Sequence, residues 1–448
     1  MKRPNLIVIM TDDQGYGDLS CMGATDFKTP NFDRLAASGA RFTNWYSSNP
    51  ICSPSRASVL SGRYPGNSGV RAYCLPVTGL RKAGGLYPEV ETLPSELKKL
   101  GYKTAMFGKW HLGTQDRCRP DKHGFDKWMG FKAGCIDYYS HIFYWGMSNR
   151  NNPLNPCHDL WEDGEEIYEN GKYFTEMVTE HTVEFIREAS KGDEPFFTYV
   201  AYNAPHYPMH APQKYLDRFS HLPWDRQIMA AMLSAVDDGI GDILDELERQ
   251  GILEDTIIFF QSDNGPSKES RNWMDGREDP YYGGTAGKLK GHKFSLFEGG
   301  IRIPAMISWP GKIPSEQVID EMGMGIDIFP TFIKEAGGSL EGYEIDGCDI
   351  MPMVTEQAKT PHDMIFWEIG QQTAVRKGDW KLVINGQLQE GAPPIADLYL
   401  SDLKKDMGEE TNLKDEYPEI TEELKKAAEK WRDAVEDRWE NYWKLKLE

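Results

Sequence analysis

The chain has no excess of positive charge, no long membrane-type apolar run, few cysteines for its length and no internal repeat. Each absence removes a class of function. Acidic residues number 70 against 50 basic ones, for a formal net charge of −20. Phosphate backbones need a basic surface, so nucleic acid is excluded as a partner, and an anionic substrate must be gripped by a local cluster of cations. The apolar run Leu6-Ile7-Val8-Ile9-Met10, entered directly from Met1-Lys2-Arg3-Pro4, is too short for a membrane span or for the core of a secretory leader. The expectation is a protein without an integral membrane segment, cytoplasmic as written or exported if a leader has been removed. The seven cysteines (Cys21, Cys52, Cys74, Cys118, Cys135, Cys157 and Cys348) are odd in number and contain no CxxC pair. A large core needs no disulfide staples, so most of them read as buried thiols.

What is present describes a globular enzyme. At 448 residues, 40% hydrophobic and 27% charged, the chain is expected to form one large domain and a smaller one. Short apolar runs at Leu6–Met10, Thr104–Phe107, Phe196–Ala201, Ile257–Phe260 and Ala305–Ser308 read as buried strands of a parallel sheet. Helical stretches alternate with them, the clearest from Asp225 to Gln250 with Gly251 as its stop. The fold class is therefore α/β: a large, doubly wound, mostly parallel sheet flanked by helices over residues 1–365. Beyond it, Thr373–Arg376 and Trp380–Ile384 around Lys377-Gly378-Asp379 read as an antiparallel hairpin, followed by a strand at Leu398–Leu400. A tail helix from about Glu416 carries an apolar stripe of Leu424, Ala428, Trp431 and Val435. Residues 366–448 are expected to form a C-terminal α+β subdomain carrying this antiparallel sheet.

The chemistry gathers where strands end. Asp12-Asp13-Gln14, Lys109-Trp110-His111, Ala204-Pro205-His206 and Ser262-Asp263-Asn264-Gly265 each follow a candidate strand, and open α/β sheets bind ligands outside the carboxyl ends of their strands. Asp12, Asp13, Asp263 and Asn264 offer only oxygen donors, which suit Ca²⁺ or Mg²⁺ better than zinc. Asp-Asp and Asp-Asn-Gly are also ordinary turn formers, but together at the ends of one sheet they point to a metal. Asp237-Asp238 lies within the helical pattern, where neighbouring side chains diverge by about 100°, and reads as structural. In Cys52-Ser53-Pro54-Ser55-Arg56, Ser53 can cap a helix, Pro54 suits its first position and Gly62 can end it. Cys52 then stands at a helix N-terminus, which favours an anion, with Arg56 able to reach back over it. A buried structural cysteine or a reactive thiol are the alternative readings.

This segment resembles the C-x-P-S-R signature of type I sulfatases. Gly108-Lys109-Trp110-His111-Leu112-Gly113, Asn5–Gly17, Ala204-Pro205-His206, Ser262–Gly265 and Lys293 with Glu298-Gly299-Gly300-Ile301-Arg302-Ile303-Pro304 match the family in order, and the likeness extends to about residue 415 through Asp397-Leu398-Tyr399 and Glu410-Thr411-Asn412-Leu413. The resemblance implies an alkaline-phosphatase-like superfold and hydrolysis of sulfate esters. It implies that a formylglycine-generating enzyme oxidises Cys52 to formylglycine, whose hydrate attacks sulfur. A divalent cation, Ca²⁺ or else Mg²⁺, would be held by Asp12, Asp13, Asp263, Asn264 and the modified Cys52. His206 with Lys293 would serve the leaving group, His111 would take a proton from the second hydroxyl, and Arg56, Lys109 and Lys293 would neutralise the sulfate oxygens.

The remaining histidines read as structural, with His210 and His292 left open. Trp110 reads as packing, and Glu298-Gly299-Gly300 as a loop that shapes the backbone. Two rivals remain at this stage: a phosphoester or phosphonate hydrolase of the same superfold, and a non-catalytic sugar-binding relative. The expected substrate is a sulfated small molecule or oligosaccharide, attacked at an accessible chain end. Loops at residues 63–85, 114–170 and 266–291 carry Tyr73, Trp128, Tyr138, Tyr139, Trp145, Trp161, Trp273, Tyr281 and Tyr282, of the kind that stack on sugars, although most of them are expected only to pack the loops down. Arg71, Arg81, Lys82, Arg117 and Arg119 could supply positive charge there.

Overall fold

A computed structural model describes residues 3–74, 84–143, 156–268 and 282–447. Among these, ten strands form the main sheet: β1 (Asn5–Thr11), β2 (Gly39–Phe42), β3 (Lys103–Lys109), β4 (Lys127–Phe131), β5 (Trp161–Glu162), β6 (Glu165–Glu166), β7 (Phe196–Ala201), β8 (Thr256–Ser262), β9 (Ala305–Ser308) and β10 (Gln317–Ile319). They lie side by side in the order β10-β2-β9-β8-β1-β7-β3-β4-β5-β6. The five central strands, β8 through β4, run parallel. Every residue of β1 and β8 is buried, because helices cover both faces and no position of a central parallel strand meets water.

The period of two along β1 divides the interior in half. Ile7 and Ile9 enter one apolar cluster with helices α1 (Pro30–Ala37), α4 (Phe174–Ala189) and α5 (Trp224–Arg249). Leu6, Val8 and Met10 enter another with α2 (Cys52–Ser61), α3 (Leu93–Lys99) and α6 (Ile328–Glu335). Each fully buried Ile, Leu or Phe contributes about 1.5–3 kcal/mol, so the two cores hold the strand ends on a stiff base.

Two details depart from the sequence reading. Ala305–Ser308 is a strand but runs antiparallel to β8 and to β2. The chain returns through the site loops at the carboxyl edge instead of crossing over through a helix, so β9 must start at that edge. Helix α2 begins at Cys52 with extended Ile51 as its cap residue, not at Ser53. The Ser53 hydroxyl instead accepts the Cys74 N–H at 3.1 Å. Gly62 ends the helix as expected, in the left-handed region at φ 67°.

A second sheet of four antiparallel strands, β11 (Ile365–Ile369), β12 (Gln372–Lys377), β13 (Trp380–Ile384) and β14 (Leu398–Asp402), follows in sequence order. Its central hairpin closes at Lys377 opposite Trp380. Helix α7 (Pro418–Arg438) covers it: Leu424, Ala428 and Val435 are buried, and Trp431 stacks on Phe366 with ring centroids 5.2 Å apart. Tyr46, Phe297, Ile301, Trp367 and Val383 share one apolar cluster, which joins this sheet to the loops at the carboxyl edge of the main one. No helix among the described residues is long and apolar enough to cross a membrane.

Candidate active site

All four expected strand ends converge, together with the loop carrying Lys293. Asp12 and Asp13 follow β1, Lys109 ends β3 with His111 two residues beyond, His206 follows β7, and Asp263 and Asn264 follow β8. Cys52 opens α2 beneath them. None of the ten candidate residues is more than 4% exposed, and charged side chains are almost never buried this deeply unless paired. Here they are paired. Arg56 donates to Asp263 Oδ2 through Nε (3.0 Å) and Nη2 (2.8 Å). Lys109 Nζ donates to Asp12 Oδ2 at 2.5 Å, and Lys293 Nζ to Asp13 Oδ2 at 2.9 Å. Asn264 Nδ2 donates to Asp13 Oδ1 at 2.7 Å, and the Asp13 N–H to Asp263 Oδ1 at 3.1 Å.

Three carboxylates thus face three cations in a buried cluster. A divalent cation added to that balanced set leaves a net positive site, suited to an anionic ester. The donor chemistry fits such an ion. Single ligand atoms of Asp12, Asp13, Cys52 and His206 lie within 4.8 Å of one another. Asn264 Oδ1 is buried with no hydrogen-bond partner among the described residues, and an unsatisfied buried carbonyl is costly unless something polar meets it. His206, assigned from sequence to the leaving group, joins this cluster through Nε2, 3.6 Å from Asp13 Oδ2 and 3.5 Å from Lys293 Nζ.

The Cys52 thiol lies 3.3 Å from Asp12 Oδ1. Burial, and then the Asp12 and Asp263 carboxylates, push its pKa well above that of a free thiol. A helix N-terminus would lower it, but desolvation outweighs that effect. His111 is shifted in the opposite sense for a basic group. Burial, then the nearby Lys109 and Arg56 charges, hold it well below an ordinary imidazole, so it stands neutral. Its backbone is left-handed at φ 54°, its ring stacks on Tyr73 with centroids 6.0 Å apart, and Gly134 lies so close that a Cβ there would sit 2.9 Å from Nε2. Asp13 (φ 60°) and Phe294 (φ 74°) share the strained left-handed region, which for a non-glycine costs about 1–3 kcal/mol and concentrates at working sites.

Other expected residues stand apart. Asp237 accepts the Asn31 and Phe32 N–H groups at the start of α1 (3.0 and 2.9 Å), and Asp238 pairs with Arg218 at 2.8 Å. Trp110 donates to Cys118 O at 2.6 Å as a packing residue. Arg71 is tied to Glu368 and Glu436, Arg119 to Asp121, and Arg117 lies over Tyr87. Trp128 and Tyr138 are buried, the Tyr138 hydroxyl holding the His206 loop at Asn203 O and His206 O (2.8 and 2.9 Å). His210 faces Asp137 at 3.6 Å, and His292 Nδ1 lies 3.2 Å from Lys293 O. Trp145, Trp273, Tyr281, Arg81 and Lys82 lie outside the described residues.

The sequence reading missed what lies behind Lys293. Glu298, fully buried, accepts from Lys381 Nζ (2.8 Å), Tyr46 Oη (2.8 Å) and Arg302 Nη1 (3.2 Å), while its N–H donates to Glu409 Oε2 at 2.6 Å. Lys381 also pairs with Glu409 at 3.2 Å. No motif flagged Lys381 or Glu409, because the register of the second sheet brings them there. The adjacent glycines do shape the backbone: a Cβ on Gly265 would sit 2.0 Å from Gly299 O, and one on Gly300 2.1 Å from Ser295 O.

Fold and site define the class: a sulfuric ester hydrolase, working at the carboxyl edge of an α/β sheet. The chain belongs to the sulfatase family, whose model matches residues 4–338; a second model, described as N-sulphoglucosamine sulphohydrolase, C-terminal, matches residues 291–434. It is 33% identical over 391 residues to the N-acetylgalactosamine-6-sulfatase of Canis lupus familiaris, covering 84% of this chain and 71% of that one. It is 31% identical over 457 residues to Homo sapiens arylsulfatase A, covering 92% and 83% respectively. Its backbone is similar to the crystal structure of Ps i-CgsB in complex with k-i-k-neocarrahexaose, at a TM-score of 0.83 and 29% identity over 96% of this chain and 92% of that one. Family membership implies a metal-ion site.

Proposed function

We propose that this sulfatase removes sulfate from a sulfated sugar, at an accessible end of a short chain, using formylglycine made from Cys52 and one divalent cation, Ca²⁺ or Mg²⁺. The observation that carries the reading is the buried, charge-balanced cluster around Cys52 with Asn264 Oδ1 left for a cation. Asp12, Asp13, Asp263 and Asn264 would hold the ion, and position 52 completes the set. The modified residue supplies a hydroxyl nucleophile and the ion lowers the charge cost of the attack.

The chain's own residues do the rest. Arg56, Lys109 and Lys293 neutralise the sulfate oxygens, which gain charge in the transition state. His206, helped by Lys293 whose Nζ lies beside its Nε2, serves the leaving oxygen, and neutral His111 accepts a proton at position 52. The partner this reading requires is a formylglycine-generating enzyme. A sugar substrate is supported by the sulfated-sugar names of relatives and by Tyr73, whose ring stands edge-on to Phe294 (centroids 5.9 Å apart) as well as over His111, at the site wall. Relatives named arylsulfatase leave a permissive aryl sulfatase as the second reading.

Peptide mass spectrometry of residue 52, metal analysis, and assays on sulfated mono- and disaccharides, an intact glycosaminoglycan, a chromogenic aryl sulfate and the matching phosphate ester test the reading together. Formylglycine, one equivalent of Ca²⁺ or Mg²⁺ and the highest kcat/KM on a small sulfated sugar are expected. Unmodified Cys52 in active enzyme, stoichiometric zinc, a preference for phosphate, or activity confined to the aryl ester would overturn it.

A further inference from the structure

Lys293 sits in a tight turn, closed by the Ser295 N–H on His292 O at 2.9 Å and braced from outside. The next residue, Phe294, has φ 74°, a conformation that a bulky side chain keeps only when its surroundings impose it. Two hydrogen bonds hold its backbone, one on the peptide before it and one on the peptide after it. The Phe294 N–H donates to Pro50 O at 3.1 Å, two residues before Cys52. The Phe294 carbonyl accepts Gln372 Nε2 at 2.9 Å. Gln372 is 3% exposed, at the first position of β12 in the second sheet. Its other end, Oε1, accepts the Gln387 N–H at 2.9 Å and the Leu296 N–H at 3.5 Å. One buried amide therefore clamps both Phe294 and Leu296. On the other side of Lys293, its own N–H is anchored to Pro266 O at 3.0 Å.

We infer that Gln372, a residue of the C-terminal sheet, is a positioning residue for Lys293: its amide holds the Phe294 carbonyl, keeps Phe294 in its left-handed conformation and so aims the Lys293 ammonium between Asp13 and His206. The inference rests on the proposed role of Lys293 beside His206 at the leaving oxygen. Gln372 touches no reacting atom, so its effect must pass through Lys293, and that gives it a signature. A sugar alkoxide is a poor leaving group that needs help at its oxygen, whereas a nitrophenolate leaves with little. Misplacing Lys293 should slow sugar esters selectively.

The test compares Gln372→Leu, Gln372→Glu, Lys293→Ala and the double variant Lys293→Ala/Gln372→Leu, using a sulfated monosaccharide and 4-nitrophenyl sulfate. Gln372→Glu keeps both acceptor bonds and guards against simple misfolding, but its carboxylate cannot donate to Phe294 O. In both Gln372 variants, kcat on the sugar ester should fall by ~10- to 100-fold with little change in KM, the order expected for a misplacement of about 1 Å. The aryl ester should be much less affected. Lys293→Ala should show the same preference, and the double variant should be no slower than Lys293→Ala alone. Equal losses on the two esters in the Gln372 variants, no loss, or full additivity in the double variant overturns the inference. If Lys293→Ala itself slows both esters equally, the proposed role of Lys293 falls and the inference with it. A leaving-group signature in Lys293→Ala that the Gln372 variants lack overturns the inference alone.

Discussion

Cys52 sits where a helix terminus attracts negative charge, yet burial and two carboxylates keep its thiol protonated. On the proposed reading the cysteine is a precursor, and its conversion replaces the thiol with a hydroxyl nucleophile that needs no thiolate. Cys52→Ala should abolish turnover of a sulfate ester while leaving the circular dichroism spectrum and melting curve unchanged, and near-normal activity would refute the assignment. Cys52→Ser keeps one hydroxyl but lacks the geminal one, so the expected species is an enzyme stalled with sulfate on residue 52, visible as added mass. His111 provides a second check. Its folded-state pKa lies below the ordinary imidazole value of ~6.5, so the neutral, proton-accepting form persists as pH falls through that value. The acid limb of kcat should therefore lie well below pH ~6.5 and vanish in His111→Asn. An acid limb at or above the ordinary value would rule out neutral His111 as the acceptor.

Between elements, the tightest join is the hub of Glu298, Lys381 and Glu409. Burial alone would raise the pKa of Glu298, but Lys381, Arg302 and Arg376 outweigh it and hold the carboxyl below its usual range. Burial and the neighbouring Glu298 push Glu409 the other way. Removing the cation between them strands buried charge, which costs about 3–5 kcal/mol. Lys381→Met should lower unfolding free energy in urea by that order, and adding Glu409→Gln should recover part of it; a neutral Lys381→Met would show that the hub adds nothing. This join also marks the limit of what the sequence discloses. The strand runs, the 225–250 helix, the tail stripe and the gathering of the candidate residues at the strand ends were legible because periodicity and strand-end chemistry are local signals, while the roles of those residues came from the family resemblance. The direction of β9 was not, since a four-residue apolar run looks the same in either sense. Nor was the start of α2, where Ile51 serves as cap residue without a polar side chain. Gln372, Lys381 and Glu409 carry no motif. Their roles arise only when the second sheet docks onto the Lys293 loop, a contact between distant segments that composition cannot encode.

Across the whole molecule, a net charge of −20 surrounds a pocket lined by Arg56, Lys109 and Lys293. The global field repels a polyanion while the local one grips a single sulfate, and salt weakens the first more than the buried second. kcat/KM for a sulfated disaccharide should exceed that for an intact sulfated polymer at low ionic strength, and the ratio should shrink as salt is added. A ratio that grows with salt, or a polymer preferred throughout, would contradict the steering argument. The complete burial of Cys52 also sets an order of events in the life of the chain. A modifying enzyme must take hold of the peptide around the residue it oxidises, and here that peptide is a helix closed in on every side. On the proposed reading, oxidation at position 52 would therefore have to come while the nascent chain is still open, in competition with folding. By the same reading, a molecule that folds first would remain a cysteine protein: correctly shaped, stable, and without a route to activity short of being unfolded again.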